Sequence, residues 1–147
     1  LDASIEDCSI IIPTKAFRDE GTSYHYQEAS DMIDIDLKYE NEFLEILDKY
    51  DFDHTKGYTW TTDAFFRETP DKIEYFKNNG AVCVEMEGAV IASVAKRLGV
   101  DYFTFYYAGD NLDSTEWDER SLSGLTNIDK KKEVMLLALE LAVKINN

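Results

Sequence analysis

The chain has 147 residues, 44% of them hydrophobic, with 30 acidic against 15 basic side chains and a formal net charge of −15. That length suits one domain, residues 1–147, with a real core, and the ordinary apolar content argues against global disorder. The acidic excess argues against nucleic acid and anionic membrane surfaces, both of which reward Lys and Arg clusters, and solubility is the simpler reading of the charge.

The chain opens "LDASIED", without Met and without the basic n-region of a signal peptide, so a processed, cloned or truncated N-terminus is expected. "CSIIIPTKAF" is a β-branched run and reads as a strand, with Pro13 near its end. "RDEGTSYHY" is a turn-rich loop, and "YENEFLEILDKY" places Phe43, Leu44, Leu47 and Tyr50 at helical spacing. "HTKGYTWTTDAFF" reads as a strand running into a loop. Thr69-Pro70 is a helix start, a hydroxyl N-cap before Pro at the first position, and Gly80 ends that helix. Val82, Cys83 and Val84 form a buried strand. Met86, Val90, Ile91, Val94 and Leu98 make the apolar face of the next helix, which Gly99 closes. "VDYFTFYYAG" reads as a strand continuous enough to be buried on both faces. After an irregular acidic loop, Thr126 or Asn127 caps a last helix with the stripe Val134, Leu137, Leu141 and Ile145.

Strands alternating with helices predict an α/β layered fold with a largely parallel or mixed sheet. Ligands in such folds bind at the carboxyl ends of strands. "TTDAFF", "VEMEG" and "YAGDN" are each expected to lie there, where a strand stops. Cys8 and Cys83 sit in strand-like runs and read as reduced core thiols, which suits a cytoplasmic protein. No apolar run reaches the length of a membrane span.

Several chemistries find no motif. His25 and His54 have no metal-ligand spacing, and no Cys pair has zinc-site spacing. "DNLDSTEWDE" puts Leu112 where a calcium loop needs its second oxygen ligand. There is no nucleophile elbow, no phosphate loop and no dinucleotide fingerprint. Neither a metal nor an organic cofactor is expected.

Glu85 and Glu87 flank Met86 at the hand-over from an apolar strand to an apolar helix, where carboxylates are poorly tolerated. A carboxylate there can accept hydrogen bonds from both hydroxyls of a ribose, each charge-assisted bond contributing on the order of 1.5–3 kcal/mol. The bland alternative is that Glu87 caps the helix or pairs with a buried Arg. By themselves, Phe65 in a Thr- and aromatic-rich strand reads as core, Asp110 between Gly109 and Asn111 as the start of an Asx-turn, and His25 as structural or a subunit contact rather than catalytic.

"VEMEGAVIASVAKRLGV" resembles the nucleoside phosphorylase family, which includes purine nucleoside phosphorylase, uridine phosphorylase and methylthioadenosine nucleosidase. "IIPTKAFRDEGTSYHY", "TTDAFF" and "AGDNLD" resemble further blocks of that family in the right order, together covering most of Ile10–Asp113. The resemblance implies a three-layer α/β/α sandwich around a mixed, partly closed sheet. It implies that Glu87 holds both ribose hydroxyls and that Met86 packs on the sugar. Phe65 would stack on base or ribose, Val84 would line the base pocket, and Glu85 would touch the ribose side or orient the loop. Asp110 would protonate the purine N7 as the glycosidic bond breaks. It further implies inorganic phosphate as co-substrate, nucleoside and phosphate as the small-molecule partners, and assembly as dimers or as hexamers built from dimers.

Thr69 and Asp71 stand where the uridine-specific branch carries its Gln-x-Arg pair, which tilts the reading towards purines, and Gly109 replaces a Ser common in the family. The phosphate-binding glycine loop and arginines of the family precede the matched blocks. The chain as given is therefore expected to be incomplete for catalysis and to self-associate through its open sheet edge. Hydrolysis, uridine phosphorolysis and a non-catalytic nucleoside-binding or assembly module are the alternatives.

Overall fold

The computed structural model describes residues 1–114 and 116–146. Its centre is one open mixed sheet. Strand β1 (Ile10–Asp19) pairs in parallel with β3 (His54–Thr62), and β3 pairs in parallel with β4 (Ala81–Glu85). Two short strands run antiparallel to β1: β2 (Met32–Asp34) beside Lys15–Phe17, and β5 (Tyr106–Tyr107) beside Ile10–Ile11. Since β3 borders β1 throughout, β2 and β5 share its other edge in succession.

Among the described residues four α-helices flank the sheet: α1 (Glu40–Lys49), α2 (Pro70–Asn78), α3 (Gly88–Leu98) and α4 (Ile128–Ile145). Helices α1 and α4 close one core through Phe43, Leu47, Leu137 and Leu141 over Ile10 and Ile12. Helix α2 sets Phe76 on Trp60, with ring centroids 4.4 Å apart, and on Phe17. The α/β class with a mixed sheet is the expected one. Among the described residues no helix is long and apolar enough to cross a membrane.

Four local expectations are corrected. Pro13 does not end β1. The ladder shifts register between Pro13 and Lys15 and runs on to Asp19, because a bulge absorbs the missing N–H. The "VDYFTFYYAG" run is not a strand buried on both faces: only Tyr106–Tyr107 pair, and no residue from Tyr102 to Tyr107 is fully buried. Its paired residues face Ile10 and Ile11, and beyond them Ala108 exchanges backbone hydrogen bonds with Ser9 and Cys8.

Helix α3 turns the other way round from the expectation. It buries Gly88, Ala89, Ala92, Ser93 and Ala95, and leaves Ile91 43% and Leu98 69% exposed. Close packing of Ala89 and Ala92 on Ala16 and Ile33 favours the small face over the large one. Fourth, the helix-cap side chains at Thr69 and Asn127 hold the expected positions but make no cap hydrogen bond. Asn127 has a φ of 52°, and its amide donates instead to Asp7 Oδ2 at 2.6 Å. Strand β2 has no counterpart among the sequence-based expectations.

Candidate functional site at the carboxyl ends of the parallel strands

The three parallel strands stop together. Asp19 of β1 is in register with Thr62 of β3, and Thr61 of β3 with Glu85 of β4. Five carboxylates gather at or just beyond this edge. Asp19 Oδ2 accepts the Trp60 indole N–H at 3.0 Å and the Lys72 ammonium at 2.7 Å. Glu20 accepts the backbone N–H groups of Thr22 and Ser23, and the Ser23 hydroxyl in turn accepts the Nε–H of buried Arg18. Asp63 accepts the Gly21 N–H at 3.1 Å.

Glu85 has the densest set of partners. Its Oε1 accepts the hydroxyls of Thr61 at 2.5 Å and Thr59 at 3.1 Å, and its Oε2 accepts the backbone N–H groups of Glu87 at 2.8 Å and Gly88 at 2.5 Å. The first N–H groups of a helix have no intrahelical acceptor, so Glu85 is the side chain that caps α3. Thr61 completes the cap by accepting the Ala89 N–H at 3.0 Å. All four of these bonds are to the chain's own groups, and they fix the turn between β4 and α3.

Glu87 occupies the N-cap position of α3 but makes no side-chain cap bond. Its carboxylate is exposed and forms no hydrogen bond or ion pair among the described residues, so neither the cap nor the Arg pair applies. Met86, beside it, is 40% exposed. Phe65 follows β3 in a short 3-10 turn, Phe65–Arg67, where it is 53% exposed and lies against Phe66 with ring centroids 3.9 Å apart and planes tilted by 35°. It is not core. His25 lies exposed in a second such turn, Ser23–His25.

Asp110 does not leave its strand at this edge. Strand β5 runs antiparallel to β1, so the segment after Tyr107 heads towards the amino end of β1. The expected convergence of three strand ends therefore reduces to two. Asp110 instead lines a cavity of about 70 Å³ together with Val84, Cys83 and Leu1. Asp110 Oδ2 accepts the indole N–H of Trp117 at 2.8 Å. The Asx-type bond of this loop belongs to Asn111, whose side-chain oxygen accepts the Asp113 N–H. Nearby, burial pushes the Glu68 carboxyl above the usual glutamate range, with the Asp110 charge adding to it.

Burial shapes the floor behind Glu85. It pushes the Cys83 thiol up to about 12, so Cys83 stays neutral. It also raises the Tyr106 and Tyr102 hydroxyls, with the Glu85 charge contributing to both. A Cβ placed on Gly88 would lie 2.5 Å from the Tyr106 oxygen and 2.9 Å from Glu85 Oε1, so only glycine lets the helix start this close. Among the described residues no group of three or more His, Cys, Asp and Glu side chains is placed to hold a metal ion.

Thr59, Thr61, Tyr106 and Trp117 were not singled out from sequence. For the two threonines the signal was present: Thr59 and Thr61 sit two apart on a strand and therefore share a face. What was missing was the register that sets this face against Glu85.

A family profile described as the phosphorylase superfamily matches residues 1–144. A guanosine phosphorylase from Halorubrum lacusprofundi is 25% identical over 100 residues, which are 68% of this chain and 42% of that protein. Among solved structures, an AMP nucleosidase from Bacteroides thetaiotaomicron superposes with a TM-score of 0.70 at 16% identity, over 99% of this chain and 56% of the other. A Plasmodium knowlesi homologue of the P. falciparum PNP gives a TM-score of 0.74 at 17% identity, over 97% and 56%. The chain thus spans about half the length of the relatives it matches.

Proposed function

The chain belongs to the phosphorylase superfamily, and from that membership we propose that its strand-end site binds a purine ribonucleoside for phosphorolysis to free base and ribose 1-phosphate. One observation carries the reading. Glu87 is the single strand-end carboxylate with no bond of its own among the described residues, while Glu85 supplies the cap that would otherwise explain an acid there. An exposed carboxylate on a fixed turn suits a vicinal diol, because each oxygen can take one hydroxyl. Met86 offers a soft apolar surface to the sugar, and the exposed Phe65 a face for stacking.

The purine preference is supported by Asp110, a carboxyl beside the Val84 cavity that can protonate a leaving base, and by the guanosine phosphorylase relative. A positioned acid typically contributes about 10²–10⁴-fold. Val84 lines the base side, and inorganic phosphate is the co-substrate that captures C1′. Phosphate ions, the nucleoside and further copies of the chain, as dimers or hexamers of dimers, are its proposed partners.

Titrating the chain with inosine and 2′-deoxyinosine tests the reading. Unsubstituted chain is expected to prefer inosine, and Glu87→Gln to lose at least about tenfold on inosine, about 1.4 kcal/mol, and less on the deoxy analogue. Equal losses on both would refute the diol assignment. Product analysis of a full-length protein that includes this chain, with and without phosphate, then separates ribose 1-phosphate from free ribose, and free ribose as the product would make the protein a nucleosidase.

A further inference from the structure

Glu87 can meet two hydroxyls at once only if its backbone is held in one place, and the side chain that closes that hold lies on a different strand. Thr61 of β3 is fully buried. Its hydroxyl donates to Glu85 Oε1 at 2.5 Å and accepts the Ala89 N–H at 3.0 Å, so one oxygen is bonded on both sides. Glu85 Oε2 takes the N–H groups of Glu87 and Gly88. Three successive backbone N–H groups, those of Glu87, Gly88 and Ala89, are therefore fixed by two side chains that are bonded to each other. Thr59, also fully buried, braces Glu85 Oε1 from the same face of β3. Tyr106 and Glu85 approach Gly88 so closely that a Cβ there would meet both.

We propose that Thr61 is a positioning residue for ribose recognition: acting through Glu85, it sets where the Glu87 carboxylate stands relative to the two hydroxyls. The inference rests on the reading of Glu87 as the diol acceptor. A shift of the turn of even a fraction of an ångström leaves one carboxylate oxygen in reach of a hydroxyl and moves the other out of reach. Loss of the Thr61 hydroxyl is thus expected to weaken selectivity for two hydroxyls over one, which a merely structural threonine would not do.

Thr61→Val removes the hydroxyl and keeps the shape, whereas Thr61→Ser keeps the hydroxyl. Titrated with inosine and 2′-deoxyinosine, T61V is expected to lose about fivefold on inosine, about 1 kcal/mol, and under about twofold on 2′-deoxyinosine. T61S is expected to restore the unsubstituted preference, and thermal unfolding is followed in parallel. Should T61V fail to fold, Glu85→Gln carries the same comparison, since it weakens the same bonds from the other side. An unchanged preference in T61V, or in E85Q in its place, alongside a collapsed preference in E87Q, overturns the inference and leaves the function standing. An unchanged preference in E87Q overturns the reading of Glu87 and this inference with it.

Discussion

Glu85 Oε2 accepts the backbone N–H of Glu87 at 2.8 Å, so the first carboxylate of the Glu-Met-Glu turn holds the second in place. Two acids one residue apart thereby carry different tasks. Glu85 is committed to four donors, and Glu87 points out with none among the described residues.

The two acids are expected to separate in stability. Glu85→Ala removes a helix cap, worth about 0.5–2 kcal/mol, and strands two buried threonine hydroxyls, so a loss of about 2–3 kcal/mol is expected. Glu87→Gln touches an exposed side chain with no hydrogen bond or ion pair among the described residues and is expected to stay within about 0.5 kcal/mol. Urea unfolding of both variants checks this, and comparable losses would show that Glu87 has a structural bond after all.

Asp110 is expected to matter only where a base must be protonated to leave. In phosphorolysis assays of a full-length protein that includes this chain, Asp110→Asn is expected to slow inosine by about 10²-fold or more and to spare a 7-methylated purine nucleoside, whose base departs already cationic. An equal slowing on both substrates would assign Asp110 to shaping the cavity it shares with Val84.

Glu68 gives a pH dependence with a definite sign. Burial, then the Asp110 charge, raise its carboxyl above the unfolded value. The folded chain consequently binds that proton more tightly. The contribution to stability is present below the unfolded pKa and is lost as pH rises through the folded one. Glu68→Gln is therefore expected to melt higher than the unsubstituted chain at pH 7, with the gap closing below about pH 4, where glutamates are protonated. A gap independent of pH would show that the ionised Glu68 is well solvated.

Local sequence determined the elements whose signals are short-range. Phe43 and Leu47 at helical spacing gave α1, Pro70 gave the start of α2, and Gly99, with a φ of 68°, gave the end of α3. The alternation of strands and helices gave the α/β class, and the Glu-Met-Glu motif marks the end of β4 by sequence alone. Tertiary structure decided what depends on partners distant in the chain. Which of Glu85 and Glu87 caps α3 rests on Thr61, 24 residues away in sequence and aligned only once β3 and β4 pair. Which face α3 buries rests on the close approach of Ala89 and Ala92 to β1, since small and large residues recur along this helix with the same period. The direction of β5, and with it the place of Asp110, rests on antiparallel pairing with only two residues of β1. Periodicity reports that a face is apolar. Only the register and spacing of the assembled sheet report what that face meets, because hydrogen bonds and close packing are fixed within tenths of an ångström by groups far apart in the chain.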